Sequence, residues 1–191
     1  MKLIAIRHGE IELNSEGKTT GWLDVDLSPT GRRQATQLAA NLKEEFDVLV
    51  SSPLLRAMST AKIIADRHAC TILSDPNLRE RNFGSLNGKT WSDIEKETGR
   101  DLRHPDNDLM SYDYRSYGGE CVEDVIARAK QFIAAVNKQN GGGNIAAVTH
   151  GGIIRILYTL LPSDSRKPIT NCSVHVFHVN RYAGVPGVER K

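Results

Sequence analysis

Three short runs in this sequence place charged or ring side chains directly behind an apolar stretch. Ile6-Arg7-His8-Gly9-Glu10 delivers an arginine and a histidine at the end of Leu3–Ile6. Ser51-Ser52-Pro53-Leu54-Leu55-Arg56-Ala57 places an arginine just past a Ser-Pro pair. Val148-Thr149-His150-Gly151-Gly152 delivers a second histidine, followed by two glycines. Guanidinium groups stay charged and match a tetrahedral oxyanion bidentately. A neutral imidazole is a competent nucleophile toward phosphorus. Cations around it favour its uncharged form and neutralise the charge on a group in transfer. Gly9 allows a sharp turn and close approach of a ligand to the backbone. Two imidazoles, two guanidiniums and two helix N-termini meeting at one edge would make an oxyanion site.

These residues need a scaffold that brings three strand ends together, and the patterning supplies one. Leu3–Ile6 and Val48–Val50 read as buried strands, Thr71–Leu73, Ile145–Val148 and Val174–Val179 as three further strands, and Val185–Val188 as an edge strand. Ser28-Pro29 reads as the cap and first residue of a helix carrying Ala35, Leu38, Ala39, Leu42 and Phe46. Ser52-Pro53 reads the same way for a helix running to about His68. Val122, Val125, Ile126, Ala129, Phe132, Ile133 and Val136 mark a strong amphipathic helix ended by Gly141-Gly142-Gly143, and Ile153–Leu161 a further helix. Strands alternating with helices predict an α/β fold, a three-layer αβα sandwich around a mostly parallel sheet. In such sheets, ligands bind beyond the carboxyl ends of the strands. The polar, glycine-bearing stretch from about 75 to 119, with one short helix near Trp91–Thr98, predicts a lid or substrate excursion within a single domain spanning 1–191.

The bulk numbers fit a soluble globular chain. Over 191 residues, 39% are hydrophobic and 25% charged, and the formal charge is +2. That balance gives no reason to expect nucleic acid or an anionic membrane as partner. The N-terminal apolar run is too short for a signal sequence, and no stretch has the apolar length of a membrane helix. Cys70, Cys121 and Cys172 are odd in number and unpaired in spacing, which predicts free thiols and a cytoplasmic setting. No carboxylate cluster suggests a metal. Cys121, near a helix start, reads either as a somewhat acidic thiol or as a passive small residue.

Arg7-His8-Gly9-Glu10 resembles the Arg-His-Gly motif of the histidine phosphatases, in the branch that includes phosphoglycerate mutase. The resemblance covers almost the whole chain. Asn14, Thr20-Gly21-Trp22, Asp26-Leu27-Ser28 and Gly31 follow the first-loop pattern, and Ser52-Pro53-Leu54, Arg56-Ala57 and Thr60-Ala61 the second motif. Leu78-Arg79-Glu80 with Phe83-Gly84, Gly119-Glu120, and Thr149-His150-Gly151-Gly152 complete the order. The resemblance implies a phosphoglycerate mutase-like fold and roles residue by residue. His8 is the nucleophile that carries phosphate. Arg7, Arg56 and His150 hold the phosphoryl oxygens. Glu80 protonates the leaving oxygen and then activates water. Asn14, Thr20, Gly21 and Gly151 help bind a small phosphorylated metabolite. It implies no cofactor and no metal, and leaves a homodimer open. Read without it, Arg79-Glu80-Arg81 is also a solvated charge run. Asn14, Thr20 and Gly21 are also ordinary loop residues. Trp22 and Trp91 read as packing or pocket wall, and His68, His104, His175 and His178 as structural or exposed.

Two activities share such a site: hydrolysis, and the phosphoryl shuttling of cofactor-dependent phosphoglycerate mutases. The mutases of the family carry a longer excursion with paired arginines. Here Arg100, Arg103 and Arg115 are scattered, which favours a phosphatase. Size and layout resemble the α-ribazole phosphatases of cobalamin synthesis, making α-ribazole 5′-phosphate the named candidate substrate. The match is incomplete, since Asn87 stands where many of these enzymes carry an acidic residue. A non-catalytic phosphate-binding or scaffold module would be expected to lose the nucleophile or the acid, and this chain keeps His8, Glu80 and His150.

Overall fold

Ile4 and Ile6 leave the first strand on one side, Leu3 and Ala5 on the other, and all four are completely buried. A strand apolar on both faces needs cover on both, and the computed structural model provides it. The structure describes residues 1–102, 112–139 and 142–179, with the side chains of Asn14, Ser15 and Gln139 outside that description. Strands β1 (Lys2–Arg7), β2 (Val48–Ser51), β3 (Ile72–Ser74), β4 (Ile145–Thr149) and β5 (Val174–His178) form one sheet in the order β3-β2-β4-β1-β5. All neighbours are parallel except β5, which runs antiparallel to β1.

Helices α2 (Pro29–Asn41) and α3 (Leu55–His68) cover one face through Ala39, Ala57, Ala61, Ile64 and Ala65, which meet Ile4, Ile6, Leu49, Ala146 and Val148. Helices α5 (Val122–Gln139) and α6 (Gly151–Leu160) cover the other, packing Val125, Ala129, Phe132, Ile153 and Leu157 on Leu3, Ala5, Ile145 and Ala147. The three-layer expectation therefore holds. Each fully buried Leu, Ile or Phe contributes about 1.5–3 kcal/mol, so these two apolar layers outweigh the cost of the polar residues held at the strand ends.

The excursion carries short 3₁₀ turns at Pro76–Leu78, Gly84–Leu86 and Arg115–Tyr117, helix α4 (Trp91–Thr98), and a small core of its own built from Leu86, Ile94, Leu102 and Tyr114. A one-turn helix, α1 (Glu12–Ser15), lies in the first loop. The edge strand expected at 185–188, Arg103 and Gly141 lie outside the described residues.

Ser28 caps α2 as its sequence predicts: its Oγ accepts from the Gly31 amide at 3.0 Å, and Pro29 fills the first helical position. The second Ser-Pro pair does something else. Helix α3 starts at Leu55, two residues later than expected, with no side-chain cap. Ser52 directly follows β2 and still lies against β4, its amide donating to the Val148 carbonyl at 2.9 Å. Its hydroxyl is thereby left for another purpose. Gly9 is also needed for a different reason than ligand approach, since a Cβ there would lie 2.5 Å from the Gly31 carbonyl oxygen of α2. The glycine permits helix packing directly behind the histidine loop.

Candidate active site

Strand register places the two histidines together. Arg7 at the end of β1 pairs with Thr149 at the end of β4, so the residues that follow, His8 and His150, leave the sheet side by side. Their rings stand 5.0 Å apart and tilted. His8 is fixed at three levels. Its amide donates to the Thr149 carbonyl at 3.0 Å, the next amide, Gly9, donates to Thr60 Oγ1 at 3.1 Å, and its carbonyl accepts from Asn171 Nδ2 at 3.2 Å. Nδ1 lies 2.7 Å from the Gly9 carbonyl, which can only accept, so Nδ1 holds the proton and Nε2 keeps its lone pair. Nε2 in turn accepts from Arg56 Nε at 3.3 Å. Burial first, and the Arg56 charge second, hold the His8 pKa well below its usual 6.5. The ring is neutral at physiological pH.

Arg56, in the first turn of α3, is 1% exposed and stretches between His8 and the first loop. Its Nη1 and Nη2 donate to the carbonyls of Leu23 and Gly21 at 2.8 and 2.7 Å. Burial brings its pKa down to about 10, so it stays charged. Arg7 donates from Nη1 to the Ile169 carbonyl at 2.9 Å. Burial lowers its pKa too, against the raising influence of Glu80.

His150 is completely buried, and its Nε2 is 2.8 Å from Ser52 Oγ, the hydroxyl that does not cap α3. Burial, then the Arg56 charge, hold its pKa well below 6.5. Among the described residues, Arg7 Nε, His150 Nδ1, Thr20 Oγ1 and, in the excursion core, Tyr114 Oη are buried polar atoms with no hydrogen-bond partner within the chain. Buried polar atoms of folded chains are nearly always satisfied. Three orphaned atoms on three of the expected anion-holding residues fit an oxyanion as their missing partner.

Glu80 is brought in from the excursion. Both of its carboxylate oxygens lie 3.1 Å from the Gly152 amide at the N-terminus of α6, and Oε1 also accepts from the Arg81 amide at 2.8 Å. An anion is favoured at a helix N-terminus. Only glycine permits this approach, because a Cβ on residue 152 would lie 2.2 Å from Glu80 Oε1. A cleft of about 430 Å³ exposes Arg7, His8, Thr20, Gly21, Arg56 and Glu80 together, with Phe83, Trp91, Arg155 and Asn171 also on its walls. A second cleft of about 470 Å³, around Lys2, Lys43 and Lys167, lies away from these residues.

Of the expected site residues, His8, Arg7, Arg56, Glu80, Thr20 and Gly21 meet at this cleft, and His150 lies against His8 behind it. Gly152 rather than Gly151 faces the cleft. Gly151 is buried in the first turn of α6. Asn14 falls in α1, with its side chain outside the described part. Asn171, Thr60 and Ser52 position the histidines; Ser52 and Thr60 stand in the second motif without an expected role in the site. Trp22 does more than pack: its Nε1 donates to the Glu80 carbonyl at 2.6 Å. Cys121 is passive, since its thiol donates to Asp124 at 3.1 Å and burial raises its pKa. His175 is buried on β5 between Tyr158 and Ser173, and His68 bonds the Ala39 carbonyl. Among the described residues no group of three or more His, Cys, Asp or Glu could hold a metal, and no helix is long and apolar enough to cross a membrane.

Known proteins resemble this chain along most of its length. A metal-independent phosphoserine phosphatase of Arabidopsis thaliana is 34% identical over 185 residues, covering 93% of this chain and 76% of the relative. A 2,3-bisphosphoglycerate-dependent phosphoglycerate mutase of Lachnoclostridium phytofermentans is 30% identical, covering 97% and 84%. The solved structure of a putative α-ribazole-5′-P phosphatase from Escherichia coli superposes with a TM-score of 0.73 at 27% identity, covering 84% of this chain and 79% of that one. The histidine phosphatase superfamily (branch 1) matches residues 3–186, and this chain belongs to that family.

Proposed function

We propose that this chain hydrolyses phosphomonoesters of small metabolites through a phosphohistidine on His8 Nε2, without a metal ion. The observation that carries the reading is the His8 ring itself: Nδ1 committed to the Gly9 carbonyl, Nε2 bearing a lone pair beside the Arg56 guanidinium in the cleft. In the first half-reaction Nε2 attacks phosphorus, the N–P bond forms and the P–O bond to the leaving group breaks. Glu80 supplies the proton that the leaving oxygen needs. Arg7 and Arg56 offset charge on the equatorial oxygens, the part a metal plays in other phosphoryl transferases. In the second half-reaction Glu80 takes a proton from water, the water oxygen attacks phosphorus, and the N–P bond breaks to release phosphate.

The test is a phosphoenzyme trap. Wild type treated with a ³²P-labelled aryl phosphate and quenched in alkali should retain label, and His8→Ala should retain none and lose hydrolysis. Equal hydrolysis by both proteins would sink the assignment.

α-Ribazole 5′-phosphate remains the named candidate substrate. Phe83 and Trp91 on the cleft wall offer faces for an aromatic base, and a protein described as a putative phosphatase of that ester shares the fold. Phosphoserine is the competing substrate on the Arabidopsis relative. Parallel kcat/KM measurements on the two esters decide between them. The mutase reading is favoured by the similarity to the Lachnoclostridium enzyme. Fast isomerisation of 3-phosphoglycerate in the presence of 2,3-bisphosphoglycerate would establish it against hydrolysis.

A further inference from the structure

Glu80 stands on irregular backbone between the 3₁₀ turn Pro76–Leu78 and the one at Gly84–Leu86. No strand or helix of its own aims it. Trp22 Nε1 bonds its carbonyl from the first loop, and one side chain from α5 bonds that carbonyl together with the Arg79 carbonyl. Arg128 Nη1 donates to the Asn77 and Arg79 carbonyls at 2.8 and 2.6 Å, and Nη2 to the Glu80 carbonyl at 3.0 Å. The remaining two donors go to Glu120: Nε to Oε1 at 2.9 Å and Nη2 to Oε2 at 3.1 Å. All five guanidinium N–H groups are thereby used. Glu120 Oε2 also accepts from the Asn82 amide at 2.8 Å, and the Glu120 carbonyl accepts from Arg81 Nε at 3.2 Å. The Glu120 and Arg128 side chains are only 15% and 12% exposed, so the pair is largely desolvated. An ion pair this dry is weak evidence for stability as such, and breaking it strands a charge. Its geometry is more informative, because the bonds converge on residues 77–82, the segment that carries the carboxylate to the Gly152 amide. Gly119-Glu120 stands out in the sequence as a motif for which the reaction steps above have no use.

We propose that the Glu120–Arg128 pair is a positioning device for the proton-transfer carboxylate, setting Glu80 against the leaving-group oxygen without touching substrate. The inference rests on the hydrolase reading above and adds residues to it. A device of this kind serves one step in particular. Expelling an alkoxide requires a proton, whereas expelling a nitrophenolate hardly does. Loss of the clamp therefore damages esters with poor leaving groups selectively. A purely structural role would lower all substrates together.

The measurement is kcat/KM, which reports phosphoryl transfer to His8, for p-nitrophenyl phosphate and for an alkyl phosphate such as O-phosphoserine. It is made on wild type, Arg128→Ala, Arg128→Lys and Glu120→Gln, each checked for folding by circular dichroism and its melting curve. Lysine keeps the charge but cannot span Glu120 and three carbonyls. For Arg128→Lys the alkyl ester should fall about 10²-fold, at the low end of what general acids supply, and the aryl ester by less than about fivefold. In a Glu80→Gln background Arg128→Lys should add almost nothing to that discrimination. Should Arg128→Ala not fold, the lysine and glutamine variants carry the test. A folded Arg128→Lys that loses both esters equally, or whose effect multiplies with Glu80→Gln, overturns the proposal. A wild-type protein hydrolysing neither ester removes the hydrolase reading, and this inference with it. Aryl activity that depends on His8, together with unaltered discrimination in the clamp variants, removes only this inference.

Discussion

The two halves of the site are held by different physics. His8, His150, Arg7 and Arg56 sit at strand ends or in the first turn of a helix, where backbone ladders and two buried apolar layers set their positions. Glu80, Phe83 and Trp91 come from the excursion, whose own core among the described residues is Leu86, Ile94, Leu102 and Tyr114 and whose backbone at Glu80 is pinned by side chains. The first half follows from the fold. The second must be built by specific polar contacts, each removable by one substitution. On the proposed hydrolase reading, phosphoryl binding and nucleophilic attack are the robust part of the activity, and proton delivery and substrate choice the adjustable part.

Substitutions can break that contrast in graded steps. His8→Ala should cost the most, on the order of 10⁴-fold or more in aryl phosphate turnover, because no other group can form the intermediate. Glu80→Gln should lower alkyl ester hydrolysis about 10²–10³-fold and leave the phosphohistidine trappable with an aryl ester, as rapid-quench labelling would show. Gly152→Ala should displace the Glu80 carboxylate, since the new Cβ would stand 2.2 Å from Oε1. A loss of about 10–10²-fold is expected, again concentrated on poor leaving groups. An equal loss on aryl and alkyl esters would mean that the sheet-borne half has moved as well.

The smallest effect is on stability and concerns the sheet-borne half. Burial depresses the pKa values of His8 and His150, and that of His175 to about 4. Below the usual value of 6.5, the unfolded chain binds protons that the folded chain refuses. The stability these rings contribute is therefore complete above that pH and declines as pH falls, by about 1.4 kcal/mol per pH unit per ring. For His175 the decline stops near its folded value of about 4. Urea titrations between pH 7 and pH 5 measure it. Inorganic phosphate should oppose the loss, by mass action on the folded state.

What could be read in advance divides along the same line. Strands apolar on both faces, and the Arg-His and Thr-His pairs that follow two of them, carry their positions in local pattern, so β1, β4 and their histidines were legible from residues alone. Arg56 was legible from helix-start chemistry even though α3 begins two residues later, because the first turn still contains it. Glu80, read from its neighbours alone, was also open to being part of a solvated charge run. Its placement depends on Gly152 and on Arg128, 72 and 48 residues further along, and no periodicity records such contacts. Ser52 misled for a related reason: a serine before a proline looks like a cap, and only the register of β2 against β4 shows that its hydroxyl meets His150.

Strand β1 is flanked by β4 and β5, both drawn from the last quarter of the chain. His8 thus precedes its backbone supports by more than 140 residues, since Thr149 holds its amide and Asn171 its carbonyl. A nascent chain that stops short of about residue 145 has no neighbour to pair with β1 and lacks His150, so it should be chemically silent. Ribosome-bound chains of stepped length, assayed with a fluorogenic phosphate ester, should switch on abruptly once the β5 entry has cleared the exit tunnel.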